Sequence, residues 1–165
     1  MKKSNVWSRI NDSQLQLIEK YQQELPIKIG ALATALGLKV KKSTLAGSIS
    51  GSIKFEDHCY VIRVNSHDVK ARQRFTIAHE VAHFLLHKHL IGDGITDDVL
   101  YRSSLPSQIE WEANALAAEI LMPWEPLQHE KKKHSVELKK EALHEKLAEI
   151  FDVSVTALKY RIDDL

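Results

Sequence analysis

His79-Glu80-Val81-Ala82-His83 is an H-E-x-x-H sequence inside a run of helical periodicity that covers residues 72–89. Histidines four residues apart lie about 40° apart around an α-helix, so both imidazoles can reach one point in space. That is the geometry in which Zn²⁺ takes two nitrogen ligands. Glu80 projects about 100° from His79, beside the metal, where a carboxylate can take a proton from water. The stretch predicts His79 and His83 as metal ligands and Glu80 as a general base.

The same pattern has a simpler explanation, because a chain with 9 histidines can contain H-E-x-x-H by chance. A histidine pair on an amphipathic helix can also be partly exposed and inert. Apolar side chains, however, cluster on the helix flank beside the pair, which indicates that the motif borders a buried face. These residues are Phe75, Ala78, Ala82, Leu85 and Leu86.

Length and composition favour a single globular domain over residues 1–165, with 44% hydrophobic and 27% charged residues. The net charge of +1 gives no overall attraction to nucleic acid or membranes. The one cysteine, Cys59, excludes an internal disulfide and fits a reducing compartment. Neither a signal peptide nor an apolar run of membrane-spanning length is visible, so a cytoplasmic location is expected.

Periodicity elsewhere predicts an α+β fold, in which a small, mostly antiparallel three-stranded sheet packs against the motif helix and further helices. A cap for the motif helix is expected near Ser66 or Asp68, and a loop is expected over residues 91–106. The predicted strands cover residues 38–43, the neighbourhood of Ile53 and Phe55, and residues 59–65. The further predicted helices cover residues 11–24, 27–36, 107–122, 136–151 and 155–163.

A catalytic zinc needs a third protein ligand besides the histidine pair, with water in the fourth position. His89 follows His83 by six residues, the spacing of the metzincin signature, but that signature needs glycine where this chain has Leu86. On an unbroken helix His89 points about 120° away from His83, so it is not expected to be a ligand.

Glu110 is the better candidate for the third ligand. On a helical wheel it shares a face with apolar residues, whereas Glu112 and Glu119 fall on the opposite face, which is expected to contact solvent. An unpaired carboxylate directed inward is unfavourable, and a metal would remove that cost. The alternative is a capping box, Ser107-x-x-Glu110, at the helix start. The residues that share the face of Glu110 are Ala113, Asn114, Ala117 and Leu121, of which Asn114 could hydrogen-bond a ligand.

Two blocks of the chain strongly resemble the ImmA/IrrE family of metallopeptidases. The first is RQRFTIAHEVAHFLLH at residues 72–87, and the second is EWEAN at residues 110–114, continuing with AAEILMP at residues 117–123. Their order and separation match the family. A weaker match extends over residues 31–37, 64–66 and 147–165, so that most of the chain is covered.

The resemblance implies a zinc-dependent, gluzincin-like peptidase whose zincin-type active-site helix packs beside a small sheet. It implies His79, His83 and Glu110 as Zn²⁺ ligands and Glu80 as the catalytic base. Members of the family typically cleave helix-turn-helix (XRE-type) transcriptional repressors and so switch on mobile-element, phage or stress-response genes. A helix-turn-helix repressor is therefore the expected partner, as substrate, and no membrane partner is expected.

Two other functions are weighed against a peptidase. A non-catalytic regulator would bind or sequester a repressor without cutting it. Residues 147–165 also have the outline of a helix-turn-helix, although Asp152 stands where glycine is usual. The second helix offers only Lys159 and Arg161 to phosphate, and Asp163-Asp164 would repel it, so direct nucleic-acid binding is not expected.

Hydrolysis of a peptide also needs a donor to the oxyanion and a surface that holds the substrate. His87 and Tyr101 are candidate donors, although an ordinary surface role is the simpler expectation for each. The strand over residues 59–65 is a candidate for holding an extended substrate at its edge.

Overall fold

The structure is a computed structural model that describes residues 3–163, an α+β arrangement of helices packed on a mixed sheet. The α-helices are α1 (Asp12–Tyr21), α2 (Ile29–Ala35), α3 (Lys70–Leu86), α4 (Ser107–Leu121), α5 (Trp124–His134), α6 (Lys140–Phe151) and α7 (Val155–Asp163). The strands are β1 (Lys39–Ser43), β2 (Ile49–Glu56), β3 (Cys59–Asn65) and β4 (Ile95–Asp98). Short 3-10 turns cover Asn5–Arg9 and Lys88–Leu90.

The sheet has the strand order β1-β3-β2-β4. Strands β2 and β3 form an antiparallel hairpin, and Asp57 and His58 supply the positive φ angles that a two-residue turn needs. Strand β1 runs parallel to β3, and β4 runs antiparallel to β2. The predicted α+β class is confirmed, but the three-stranded, mostly antiparallel sheet is wrong in its strand number.

Strand β4 lies inside residues 91–106, which the sequence analysis assigned to a loop. Four residues are too few for alternation of polar and apolar side chains to stand out from the surrounding glycines and aspartates. The strand over residues 59–65 was expected to hold the substrate at its edge. That expectation is wrong, because β3 lies between β1 and β2 and has no free edge. The edges of the sheet are β1 and β4, and β4 is the one that carries a residue of the metal cluster described below.

Helix α3 packs between the sheet and α4, and its buried face contains the whole H-E-x-x-H motif. Its first turn is not capped by Ser66 or Asp68, as expected from the sequence, since Val69 is the N-cap and makes no side-chain bond. Instead, the Gln73 side chain donates to backbone carbonyls of the preceding turn. The helix ends at Leu86, so the expectation that it continues through His89 is wrong, and His89 is exposed in the following 3-10 turn.

The N-terminal segment docks on α4. The backbone N–H of Ser4 and the indole N–H of Trp7 both donate to the buried carboxylate of Glu119. Glu119 was expected to face solvent because the helical wheel of α4 ignores what the preceding chain covers. Asn11 then caps α1, since its side-chain oxygen accepts a hydrogen bond from the Gln14 N–H.

Helices α6 and α7 contribute the C-terminal residues of the core. Asp152 links them in a left-handed conformation (φ 52°), and its backbone carbonyl accepts a hydrogen bond from the Arg74 guanidinium of α3. Arg161 is buried and donates to the Met122 carbonyl, while Lys159 pairs with Glu141. Lys159 and Arg161, the two cations considered as contacts to DNA, therefore both bind other residues of the protein. Asp164 and the end of segment 147–165 lie outside the described residues.

One hydrophobic core extends from Val6 to Ile162 and includes residues of the sheet, α3, α4 and the C-terminal helices. The charged run at residues 130–133 lies in α5. The sequence analysis did not predict this helix, because its residues are largely polar and give it little apolar periodicity. Among residues 3–163, no helix combines the length and the apolar character that crossing a membrane requires.

Candidate metal centre

Helices α3 and α4 bring the three predicted ligands to one point. The Nε2 atoms of His79 and His83 lie 3.1 Å apart. Glu110 Oε2 lies 3.2 Å from His79 Nε2, and Glu110 Oε1 lies 3.4 Å from His83 Nε2. Tetrahedral zinc, with metal–ligand distances of about 2.0–2.1 Å, places its ligand atoms roughly 3.3 Å apart. The three side chains are buried and have the mutual spacing of donors around one zinc ion.

Asp97 of β4 joins this cluster, and the sequence analysis missed it. Its Oδ1 lies 3.4 Å from His79 Nε2, and donor atoms of His79, His83, Asp97 and Glu110 all lie within 4.8 Å of one another. Asp97 is fully buried. Ile95 and Asp97 are the buried alternate positions of a short strand, and this pattern could have identified Asp97. The stretch contains other aspartates, which obscure the pattern.

Glu80 lies beside the cluster on the same helix, as the motif predicts, and is fully buried. Within residues 3–163, neither carboxylate oxygen of Glu80 has a well-aligned hydrogen-bond donor, and the neighbouring polar group is the Asp97 carboxylate. The Glu80 carboxylate is therefore available to a water molecule or a substrate at the cluster.

Gly51 of β2 allows α3 to approach the sheet at this point. A Cβ atom on Gly51 would lie 2.4 Å from Thr76 Cγ2, 2.8 Å from the Arg63 carbonyl oxygen and 3.7 Å from Glu80 Oε1. The first two distances are too short for any side chain, so a larger residue would separate β2 from α3. Sequence reasoning missed Gly51, because a glycine within a strand does not reveal what approaches it.

Each histidine is held by a hydrogen bond on its other ring nitrogen. His79 Nδ1 lies 3.0 Å from Asn114 Oδ1, and His83 Nδ1 lies 3.0 Å from His87 Nδ1. An amide oxygen only accepts, so His79 Nδ1 carries a proton, and Nε2 is the nitrogen that would bind a metal. Asn114 thus has the supporting position expected from the sequence.

His87 extends the support behind His83 to the protein surface. His87 Nε2 lies 2.8 Å from Glu112 Oε2, and Arg9 pairs with the same carboxylate oxygen at 2.7 Å. If His87 donates from Nε2 to Glu112, its Nδ1 accepts from His83, which leaves His83 Nε2 free for a metal. The polar contacts of His87 therefore lie behind His83, so it is not a suitable oxyanion donor. Glu112 was expected to contact solvent, but it binds His87 and Arg9.

Tyr101 and Ser103 border the cluster from the segment between β4 and α4. The Tyr101 ring centroid lies 5.2 Å from that of His79, and its hydroxyl lies 3.4 Å from Thr76 Oγ1. Ser103 Oγ donates to Glu110 Oε1 at 2.8 Å, so Glu110 is not used in the capping box considered above. Of the two oxyanion candidates, Tyr101 is the one that lies beside the cluster.

Burial and mutual repulsion change the acidity of the cluster. Burial, reinforced by the neighbouring Asp97 and Glu110, raises the pKa of Glu80 well above its ordinary value. Burial alone would lower the pKa of His79, but the nearby carboxylates of Asp97 and Glu110 raise it to about 9. Burial alone would raise the pKa of Glu110, but the His79 and His83 imidazoles hold it well below its usual range.

Besides burial, these shifts reflect three buried carboxylates close to two imidazoles. In the part of the chain that the structure describes, no buried Lys or Arg lies within hydrogen-bonding distance of them. A divalent cation relieves such an excess of negative charge. The donor set of two histidine nitrogens and carboxylate oxygens suits zinc. The residues present therefore fit a zinc ion held by His79, His83 and Glu110, with Asp97 within reach.

A histidine pair on a buried helix and a glutamate from the next long helix, with a small mixed sheet beside them, form the candidate metal centre. The chain belongs to the Peptidase_M78 family, described as the IrrE N-terminal-like domain, whose family model matches residues 33–163. The predicted membership of the ImmA/IrrE metallopeptidases is thereby confirmed.

The fold is also similar to that of a Mycobacterium tuberculosis transcriptional regulator, with a TM-score of 0.60 at 16% sequence identity. The similarity covers 92% of this chain and 47% of that chain, so this chain spans about half of the regulator's length. At this identity the likeness concerns the fold. No curated protein matches the chain at a significant level.

Proposed function

We propose that this protein is a zinc-dependent peptidase that cleaves a helix-turn-helix transcriptional repressor. The observation that carries the proposal is the convergence of His79, His83 and Glu110 at zinc-ligand spacing, with the partnerless carboxylate of Glu80 beside them. Family membership supports the peptidase activity, and the resemblance to repressor-cleaving relatives supports the substrate class.

Bound zinc would act as a Lewis acid, lowering the pKa of a water ligand to about 7 and polarising the scissile carbonyl. Glu80 would accept the proton of the attacking water and deliver it to the leaving amine. The Tyr101 hydroxyl is the candidate donor to the oxyanion.

The edge of β4 is the proposed surface for the substrate. An extended segment of the repressor could add to this edge as a further strand, which would place its backbone next to Asp97 and the cluster. Val99 and Leu100 follow β4 directly and are exposed, so they offer apolar contacts to the same segment.

A non-catalytic regulator remains the second candidate, and one observation favours it. The cluster contains four protein donors, and four protein ligands are typical of structural zinc sites without catalytic function. Such a protein would bind the repressor and hold it without cutting it.

The test uses the helix-turn-helix repressor encoded nearest to this protein's gene, incubated with the zinc-loaded wild type and with Glu80→Gln. Glutamine keeps the shape of glutamate but cannot accept the proton, so cleavage should fall about 10²–10⁴-fold while zinc content stays unchanged. Glu137→Gln, at an exposed position, is the matched control and should cut like the wild type. Repressor fragments are measured by mass spectrometry.

Two outcomes would overturn the proposal in different ways. Equal cleavage by Glu80→Gln and the wild type would remove Glu80 from the mechanism. A wild type that holds zinc and binds the repressor, but leaves it intact, would establish the sequestering regulator instead.

A further inference from the structure

Asp97 is a buried carboxylate whose position the fold alone does not explain. It is fully buried, and within residues 3–163 neither of its oxygens accepts a well-aligned hydrogen bond. Its polar surroundings are His79 Nε2 at 3.4 Å and the carboxylates of Glu80 and Glu110. Burying a charge without a partner is strongly unfavourable, so a buried charge is normally paired or bound to a metal.

The next residue, Asp98, shows what a structural aspartate does at this place. Its Oδ1 accepts from the backbone N–H groups of Leu100 and Arg102, at 2.8 and 3.1 Å, and its Oδ2 accepts from the Arg102 guanidinium. Asp98 therefore holds the turn after β4. Asp97 contributes no bond to that turn, and its side chain faces the cluster.

The net charge of the site and the coordination number of zinc both suggest a role for Asp97. Around a divalent cation, two neutral imidazoles and the carboxylates of Glu110 and Asp97 form a ligand set with a net charge of zero, to which the neighbouring Glu80 does not belong. Tetrahedral zinc has four positions, which hold three protein ligands and a water in open catalytic sites and four protein ligands in closed sites. The Asp97 carboxylate is the fourth donor group within 4.8 Å of the others.

We propose that Asp97 is a fourth protein ligand of the zinc, so that the resting site is closed, with Asp97 in the position that water takes in an open site. This inference rests on the zinc site of the proposed function. It makes the peptidase latent until Asp97 is withdrawn.

Strand β4 is suited to that withdrawal. It is a four-residue edge strand, and its pairing with β2 shifts register at a bulge between Ile49 and Gly51, directly beside Asp97. A bulge weakens the local ladder of hydrogen bonds. A substrate strand that pairs with the free edge of β4 would therefore act on the strand that carries the fourth ligand.

The test uses the protein of residues 1–165 loaded with Co²⁺, whose visible absorption reports its ligands. The loaded protein is titrated with the metal-binding anion acetohydroxamate. A closed site predicts little spectral change for the wild type and a clear change for Asp97→Ala, in which the position is open. Asp97→Asn, which nearly preserves the shape of the side chain, guards against misfolding of the alanine variant. Asp98→Asn is the matched control and should behave like the wild type.

Zinc affinity provides a second readout. Loss of an outer-shell partner lowers metal affinity about 10–100-fold, so loss of a ligand in Asp97→Asn should lower it at least tenfold. If the wild-type spectrum responds to acetohydroxamate as fully as that of Asp97→Ala, and Asp97→Asn binds zinc as tightly as the wild type, the inference is wrong while the zinc site stands. A wild type that binds neither metal would instead overturn the proposed function itself.

Discussion

The two ends of helix α4 each bury a glutamate, and they do so for different reasons. Glu110 and Glu119 both expose 6% of their surface. At the Glu119 end, the Ser4 N–H donates at 2.9 and 3.1 Å, and the Trp7 indole N–H completes the set, so both oxygens have protein donors. At the Glu110 end, Ser103 satisfies one oxygen, and the other faces His79 Nε2 without an aligned hydrogen bond.

This difference separates a structural carboxylate, Glu119, from a candidate metal ligand, Glu110. Burial gives each glutamate the same need for a partner. The partners of Glu119 belong to the N-terminal segment and hold it on the helix. Glu110 has a donor, Ser103, for one oxygen only, and its other oxygen faces His79 Nε2, where a cation or a proton must lie between the two groups. Burial alone therefore does not mark the site, whereas burial without a donor does.

The largest expected effect is stabilisation by zinc. At a free zinc concentration about 1,000-fold above the dissociation constant, binding should stabilise the fold by about 4.1 kcal/mol. For a domain of this size, that corresponds to a rise in melting temperature of roughly 8–16 °C. Glu110→Ala should lose most of this rise, whereas Glu119→Gln should keep it. Thermal unfolding with and without zinc measures both, and equal zinc responses in the two variants would remove the distinction between the two ends.

Glu119→Gln should lower the free energy of unfolding itself. Its amide would present a donor to Ser4 N–H or Trp7 N–H, leaving a buried group unsatisfied at a cost of about 1–3 kcal/mol. Zinc affinity should not change. Urea denaturation is the measurement, with the exposed Glu137→Gln as the control. A variant as stable as the wild type would show that the N-terminal segment adds little.

His87→Ala should weaken zinc binding about 10–100-fold, because His83 loses the partner that fixes its tautomer. The fold should survive, since the substitution removes the bond to Glu112 but leaves the buried packing of α3 on α4 in place. Competition with a zinc-binding dye measures the affinity. Unchanged affinity would mean that His83 is oriented by packing alone.

The smallest expected effect is that of His89→Ala, the matched control for His87→Ala. His89 is exposed beyond the end of α3, so zinc affinity and melting temperature should both stay at wild-type values. Weakening comparable with that of a His83 substitution would revive a metzincin-like ligand set.

Much of the fold could be predicted from the sequence where the hydrophobic periodicity of a helix or strand is visible within its own residues. The motif helix, α4 and the β3 strand have strong periodicity. The helical wheel of α4 alone predicts that Glu110 faces inward. The features that the sequence analysis missed depend on distant parts of the chain. Glu119 is covered by a segment more than a hundred residues away, β3 becomes a central strand only through β1, and the short β4 has too few residues for a pattern.

The candidate site shows the same division. His79, Glu80 and His83 share one helix, so their spacing alone places them together. Asp97 reaches them from another element, and its importance follows from its burial without a donor, which no sequence pattern reveals.

The most direct test of the central claim is the zinc content of the purified protein and of two paired variants, Glu110→Ala and Glu112→Ala, measured by elemental mass spectrometry. The structure predicts one zinc per chain in the wild type, severe loss in Glu110→Ala, and retention at saturating zinc in Glu112→Ala, whose side chain reaches His87 rather than the cluster. Full zinc content in Glu110→Ala together with its loss in Glu112→Ala would contradict the assignment and make Glu112 the ligand.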